Sequence, residues 1–209
     1  MPISRALLAK GGIAVAVLAA GASRRFGDAD KLAARFRGKQ LGEHVCAALA
    51  KGPFAHRWVI ASRGDHPCQQ AWVRAGFMTA INGRASDGMG TSVALAANLA
   101  RQARCTALLI ALADAPLVPA EHFSALAARV AKQGNGGIVV SHSGKARMPP
   151  AAFGAVHFAR LAQMSGDKGA RAILAEGDVL SCPPQWLVDI DTPEALARLE
   201  SGQRPGAKA

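Results

Sequence analysis

Ile13-Ala14-Val15-Ala16-Val17-Leu18-Ala19-Ala20-Gly21-Ala22-Ser23-Arg24-Arg25-Phe26-Gly27, with Lys31 following, decides how this chain is read. An unbroken apolar run bounded by small residues is a strand buried on both faces that opens into a loop. Small residues let backbone N–H groups approach phosphate oxygens, Ser23 adds a hydroxyl donor, and Arg25 and Lys31 bring charge. Asp28 stands where a P-loop needs Lys and then Ser or Thr, and the G-x-G-x-x-G spacing of dinucleotide folds is missing. The loop reads as a cradle for a triphosphate, and its bland alternative is a charged surface turn.

The same rhythm repeats outward from that strand. Apolar runs at 13–18, 58–61, 77–81, 107–112 and 137–141 alternate with segments of helical period at 41–49, 67–75, 91–101 and 121–132. Continuous apolar strands joined by crossover helices predict an α/β fold with three αβα layers and a mostly parallel, Rossmann-like sheet. After residue 141 the rhythm breaks at Ser143-Gly144-Lys145 and Met148-Pro149-Pro150. Two prolines forbid a central parallel strand, so an edge or antiparallel excursion is expected there. Helices are then expected near 155–163 and 168–176, a strand near 186–190, and a last helix over 192–199 capped by Thr192 with Pro193 at its first position. One domain over residues 1–200 and a flexible tail over 201–209 complete the organisation.

Composition narrows the classes. With 209 residues, half of them hydrophobic and 19% charged, the chain is long enough for one sheet-centred core and is neither a disordered tail nor a disulfide miniprotein. The apolar runs fall short of the roughly 18 residues a membrane span needs. Residues 5–22 imitate a signal peptide, but cleavage there would destroy the loop, so a cytoplasmic location is expected. Lys plus Arg is 25 against 14 Asp plus Glu, a formal +11, which points to an anionic partner. Seven Phe, three Trp and no Tyr give few stacking platforms, which argues against nucleic acid. Cys46, Cys68, Cys105 and Cys182 are scattered without C-x-x-C spacing and read as free thiols.

Two further features bear on chemistry. Asp114, in Leu112-Ala113-Asp114-Ala115-Pro116, ends the fourth apolar strand at the same sheet edge as the loop, where a hard divalent cation such as Mg²⁺ wants one or two carboxylates plus phosphates. Asp191 is the second candidate ligand, with helix capping as its alternative. Asn82, followed by Asp87-Gly88-Met89-Gly90-Thr91-Ser92, precedes a helix start at which Ser92 or a neighbouring amide could read a base edge. Ordinary glycine punctuation would give the same letters.

Taken together these segments resemble the MobA-like nucleotidyltransferases, whose members include molybdenum cofactor cytidylyl- and guanylyltransferases. Residues 18–27 with Lys31 follow the pattern L-A-(A/G)-G-x-S-x-R-(F/M)-G…K, and the likeness extends through 88–92, 112–116, 165–171 and 189–193. It implies a sheet of the nucleotide-diphospho-sugar transferase type, about seven strands with one antiparallel, and an NTP and Mg²⁺ site. By position, Leu18, Ala19, Ala20, Gly21, Ser23, Gly27, Asn82, Gly88 and Ser92 would bind nucleotide, and Arg25 and Lys31 would act on the phosphates. Asp114 and Asp191 would bind metal, while Asp167 and Lys168 would face the acceptor. Ala20, where guanylyl enzymes carry Gly, points to CTP.

The resemblance therefore implies transfer of CMP from CTP to a small phosphorylated acceptor, molybdopterin, with release of pyrophosphate, and a molybdoenzyme apoprotein as a further partner. Ala113-Asp114-Ala115-Pro116 departs from the family's Gly-Asp-Met-Pro or Cys-Asp-Gln-Pro, and Arg147-Met148 replaces a usual Gly-x-Pro approach. Both departures bear on the acceptor pocket. Two alternatives follow: nucleotidyl transfer to a sugar or alditol phosphate, and a non-catalytic cofactor-binding chaperone.

Overall fold

The computed structural model describes residues 11–21, 26, 30–144, 146–166 and 169–201. Ser23, Arg25, Gly27, Asp167, Lys168 and residues 202–209 of the expected tail lie outside these. In chain order the elements are β1 (Ile13–Ala19), a small hairpin of β2 (Arg35–Phe36) and β3 (Lys39–Gln40), α1 (His44–Leu49), β4 (His56–Ala61), α2 (Gln69–Arg74), β5 (Met78–Ile81), α3 (Met89–Gln102) and β6 (Ala107–Leu112). The chain continues through α4 (Ala120–Gln133), β7 (Ile138–His142), β8 (Arg147–Gly154), α5 (Phe158–Leu161), α6 (Gly169–Ala175), β9 (Asp178–Ser181) and α7 (Pro193–Glu200).

A seven-stranded sheet runs in the order β5-β4-β1-β6-β8-β7-β9. At its centre β1 pairs in parallel with β4 on one side and β6 on the other. Alternation along β1 divides the core into two layers, as the period of two in a strand requires. Val15 and Val17 join Leu49 of α1, Trp72 of α2 and Leu126 of α4. Ala14 and Ala16 join Val93, Ala96, Ala97 and Ala100 of α3, with Phe158 of α5. Helices thus cover both faces of a mostly parallel sheet, the three-layer architecture expected, with β8 as its antiparallel member.

One local expectation is narrowed and one changes. Of the edge and antiparallel readings of the proline stretch the antiparallel one holds, because β8, which contains both prolines, lies between β6 and β7 and runs antiparallel to each. Pro149 and Pro150 fit there because the β6 ladder uses only residues 151–154 of β8, and the β7 ladder shifts register between Val140 and Ser141. Each proline thus avoids a position that must donate a ladder hydrogen bond. The strand expected near 186–190 is absent. Pro184–Leu187 is a 3₁₀ turn, and Leu187 and Ile190 are buried as anchors of an irregular segment. The strand of that region is instead β9, pairing in parallel with β7. The four cysteines are free thiols, and among the described residues no helix is long and apolar enough to cross a membrane.

Candidate active site

A cavity of about 490 Å³ opens at the carboxyl ends of β1 and β6, where parallel α/β sheets bind ligands. Leu18 and Ala19 end β1 and Ala20 and Gly21 carry the wall onward, while Leu112, Ala113 and Asp114 line it from the end of β6. Ala85, Ser86, Gly88, Met89 and Ser92 form the facing wall, and Lys31, Asp189 and Asp191 complete the lining.

At one end of the cavity the Lys31 ammonium lies 2.5 Å from Asp114 Oδ2 and 2.9 Å from Asp191 Oδ1. Burial works against the ammonium, but the Asp114 and Asp191 charges outweigh it and lift the Lys31 pKa above its ordinary value. Lys31 opens a 3₁₀ turn, Lys31–Ala33, whose N-cap is Asp30; the Asp30 carboxylate accepts from Leu32 N at 3.0 Å. The Ile190 amide donates to the Asp114 carbonyl at 2.9 Å, which pins residues 189–191 beside β6. Ile190 is fully buried in the core, and the aspartates on either side of it both reach the cavity. Asp189 Oδ1 is buried without a hydrogen-bond partner. Burial first, and then the Asp114 and Asp191 charges, push its pKa up to about 7 against the pull of Lys31.

The other end is held mainly by neutral groups, with an exposed Arg84–Asp87 ion pair at 3.1 Å beside them. Asn82 is buried and donates both amide hydrogens, to Thr91 Oγ1 and to Ser92 Oγ, each at 2.9 Å. Its Oδ1 accepts from Arg84 N at 3.0 Å. Ser92 accepts from Asn82 and so keeps its own hydroxyl hydrogen for another acceptor. Gly88, the N-cap of α3, has φ 105°, a conformation that favours glycine. Gly90 N donates to Gly166 O at 2.8 Å and Gly166 N to Asp87 O at 3.1 Å. A Cβ on Gly90 would stand 2.6 Å from Gly166 O, so glycine permits this backbone-to-backbone contact.

Leu18, Ala19, Ala20, Gly21, Lys31, Gly88, Ser92, Asp114 and Asp191 all line one cavity. Asn82 stands behind the wall, holding Thr91 and Ser92. Thr192 is the N-cap of α7, accepting from Ala195 N at 3.2 Å, while Asp191 reaches Lys31. Asp189 is the carboxylate that the sequence reading left out. Its signal was the Asp-x-Asp spacing of residues 189–191 in an extended stretch. Ala85, Ser86 and Met89 of the facing wall carry no sequence signal of their own.

The donor set suits a hard divalent cation: two carboxylates converge on one positive charge, and a buried carboxylate oxygen beside them has no partner. Among the described residues no three His, Cys, Asp or Glu side chains form a metal-binding group. Phosphate oxygens and water would therefore supply the remaining ligands.

The profile of the MobA-like NTP transferase domain matches residues 15–180. Purine catabolism protein PucB of Bacillus subtilis strain 168 is 30% identical over 195 residues, covering 85% of this chain and 90% of PucB. The structure of Rv0371c from Mycobacterium tuberculosis H37Rv in complex with manganese is similar with a TM-score of 0.63 and 23% identity, over 92% of this chain and 100% of that one. Molybdopterin-guanine dinucleotide biosynthesis protein A from Archaeoglobus fulgidus is similar with a TM-score of 0.61 and 22% identity, over 90% and 96%.

Proposed function

This chain belongs to the MobA-like NTP transferase family, a family of nucleotidyltransferases, and from that premise we propose that it moves CMP from CTP onto the terminal phosphate of molybdopterin and releases pyrophosphate. The observation that carries the reading is the Lys31 ammonium held between Asp114 and Asp191 at the carboxyl end of the central strands. An acceptor phosphate oxygen attacks the α-phosphorus in line, so no covalent enzyme intermediate is needed and catalysis is positioning plus charge stabilisation. Lys31, with Arg25, neutralises the triphosphate and the leaving pyrophosphate. Asp114 and Asp191 would hold Mg²⁺, which would supply Lewis-acid neutralisation of phosphate oxygens when bound.

The backbone of Leu18 to Gly21, with Ser23 and Gly27, packs against the nucleotide. The Ala20 methyl, where guanylyl enzymes carry Gly, favours the smaller cytosine. Ser92 reads the base edge and Asn82 fixes Ser92, while Asp167 and Lys168 face the acceptor. A relative named for purine catabolism is compatible with delivery of the product to a molybdenum-dependent hydroxylase acting on a purine ring, in the cytoplasm.

The test is pyrophosphate release with Mg²⁺, scanning CTP, GTP, ATP and UTP against molybdopterin and a panel of sugar and alditol phosphates. Release with CTP and the pterin, abolished by Asp114→Ala, is the expected result. Release with a sugar phosphate instead would move the acceptor. Nucleotide binding without release from any pair would make the protein a chaperone.

A further inference from the structure

The turn that carries Lys31 is fastened from behind by a segment outside the cavity. Asp30 uses its two carboxylate oxygens separately. Oδ1 caps the turn through Leu32 N, and Oδ2 lies 3.0 Å from His66 Nε2. His66 comes from the segment between β4 and α2, and its side chain is 3% exposed. Its Nδ1 accepts from Cys68 N at 3.1 Å, so the ring hydrogen sits on Nε2 and points at Asp30. The ring stacks on Trp72 at 4.6 Å between centroids, and Trp72 donates to Gly42 O at 2.8 Å. Cys68 Sγ donates to the Leu32 carbonyl at 3.1 Å. A Cβ on Gly42 would approach both Cys68 Sγ and Leu32 Cβ at 3.1 Å, so these parts are packed tightly together. Arg63, half exposed, lies 3.6 Å from the same Asp30 oxygen on the solvent side.

A surface aspartate that merely capped a turn would not require a buried, tautomer-fixed histidine on its second oxygen. We propose that His66 is a positioning residue for the transfer reaction. Through Asp30 it locks the 3₁₀ turn that aims the Lys31 ammonium between Asp114 and Asp191. The catalytic consequence rests on the reading of Lys31 given above, whereas the fastening itself can be measured without any ligand.

The experiment compares His66→Phe, which keeps a ring against Trp72 but removes the donor, with His66→Gln, which restores an amide donor at the reach of Nε2. The readout is the rate of acetylation of Lys31 by acetic anhydride, followed by peptide mass spectrometry against exposed Lys51 and Lys132 in the same sample. His66→Phe is expected to accelerate Lys31 labelling on the order of tenfold relative to those standards, the scale of one lost charge-assisted hydrogen bond. His66→Gln returns it toward wild type. In pyrophosphate release the Phe variant loses a similar factor in kcat/KM, Gln recovers it, and neither change adds to Lys31→Ala in a double-mutant cycle. Unchanged Lys31 labelling in His66→Phe, or an equal rise at all three lysines, overturns the proposal. The expected labelling pattern with no turnover from any substrate pair would uphold the fastening and remove the functional reading instead.

Discussion

The two ends of the cavity are built by different means. Around Lys31 the fastenings are charged: Asp114 and Asp191 hold the ammonium, and His66 holds Asp30, which caps its turn. Around residues 82–92 the groups that hold the lining are neutral, an amide holding two hydroxyls and two glycines in backbone contact, with one exposed ion pair, Arg84–Asp87, at 3.1 Å outside them. Charged groups respond to an arriving polyphosphate and metal, because opposite charges can exchange partners at short range. A neutral network anchored on a buried amide has no such charge to exchange and holds a shape, with the Ser92 hydroxyl hydrogen left for a ligand. The difference suggests a division of labour: the Lys31 end stabilises moving charge, and the 82–92 end sets what fits.

The largest test of that division is Lys31→Ala, expected to lower kcat/KM by about 10²-fold, or roughly 3 kcal/mol of transition-state stabilisation, in the pyrophosphate assay. Its counterpart needs no turnover. Without nucleotide, Lys31→Met should bind Mn²⁺ about tenfold more tightly than wild type in a paramagnetic resonance titration, because the resident cation between the two carboxylates is gone. Equal Mn²⁺ affinity in both proteins would mean that the ammonium does not compete for Asp114 and Asp191.

A smaller effect should separate the neutral end. Gly90→Ala forces the stretch at 165–166 away from α3. The expected result is an acceptor KM raised about tenfold with the CTP KM moved less than about twofold, the loss belonging to ground-state binding. Equal changes in both constants would show that the contact between residues 90 and 166 does not act on the acceptor separately from the nucleotide.

The smallest prediction concerns pH. The hydrogen bond from His66 holds the Asp30 carboxyl below its ordinary value despite burial. A depressed folded pKa adds stability that is fully present above the unfolded value near 3.8 and is lost as pH falls through the lower folded one. The unfolding free energy of wild type from urea titrations should therefore drop between pH 5 and pH 3 more than that of Asp30→Asn, by on the order of 1 kcal/mol. Asn82→Ala should lower stability at every pH without changing the slope. Parallel slopes for wild type and Asp30→Asn would show that charge does not fasten the Lys31 turn.

How far these features could be read in the sequence depends on what each residue does for the chain locally. β1, β4 and β6 announce themselves because strands buried on both faces must be apolar throughout. The cavity residues at 18–21 and 114 lie at or just beyond the end of such a strand, and 31, 88, 92 and 191 lie at or next to the start of a helix or turn. β9 was hidden because Asp178-Val179-Leu180-Ser181 is short and partly exposed, whereas the apolar stretch at 186–190 is anchored without a ladder. The interior place of β8 depends on a register shift in its partner, which no local pattern carries. His66 and Asp189 were missed for a related reason. Their meaning lies in contacts with Asp30 and with Asp114 and Asp191, and a lone histidine or a second aspartate carries no sign of its partner.

One feature of the core sets a dimension of the cavity. Over β1 the residues of this core layer are small, Ala96, Ala97 and Ala100 of α3 with Ala14 and Ala16 of the strand, between the larger Trp58 and Ile60 of β4 and Leu108 and Ile110 of β6. Methyl against methyl is a thin spacer, and α3 is also the element whose first turn carries the wall at Met89 and Ser92. Layer thickness and mouth width are therefore one mechanical variable. An added methylene under α3 would act as a shim, tilting the helix and widening the gap to Ala20 without altering a lining residue. In this architecture the size of an accepted ligand can be graded from beneath the site, a route by which a scaffold could change its substrate range before any contacting side chain changed.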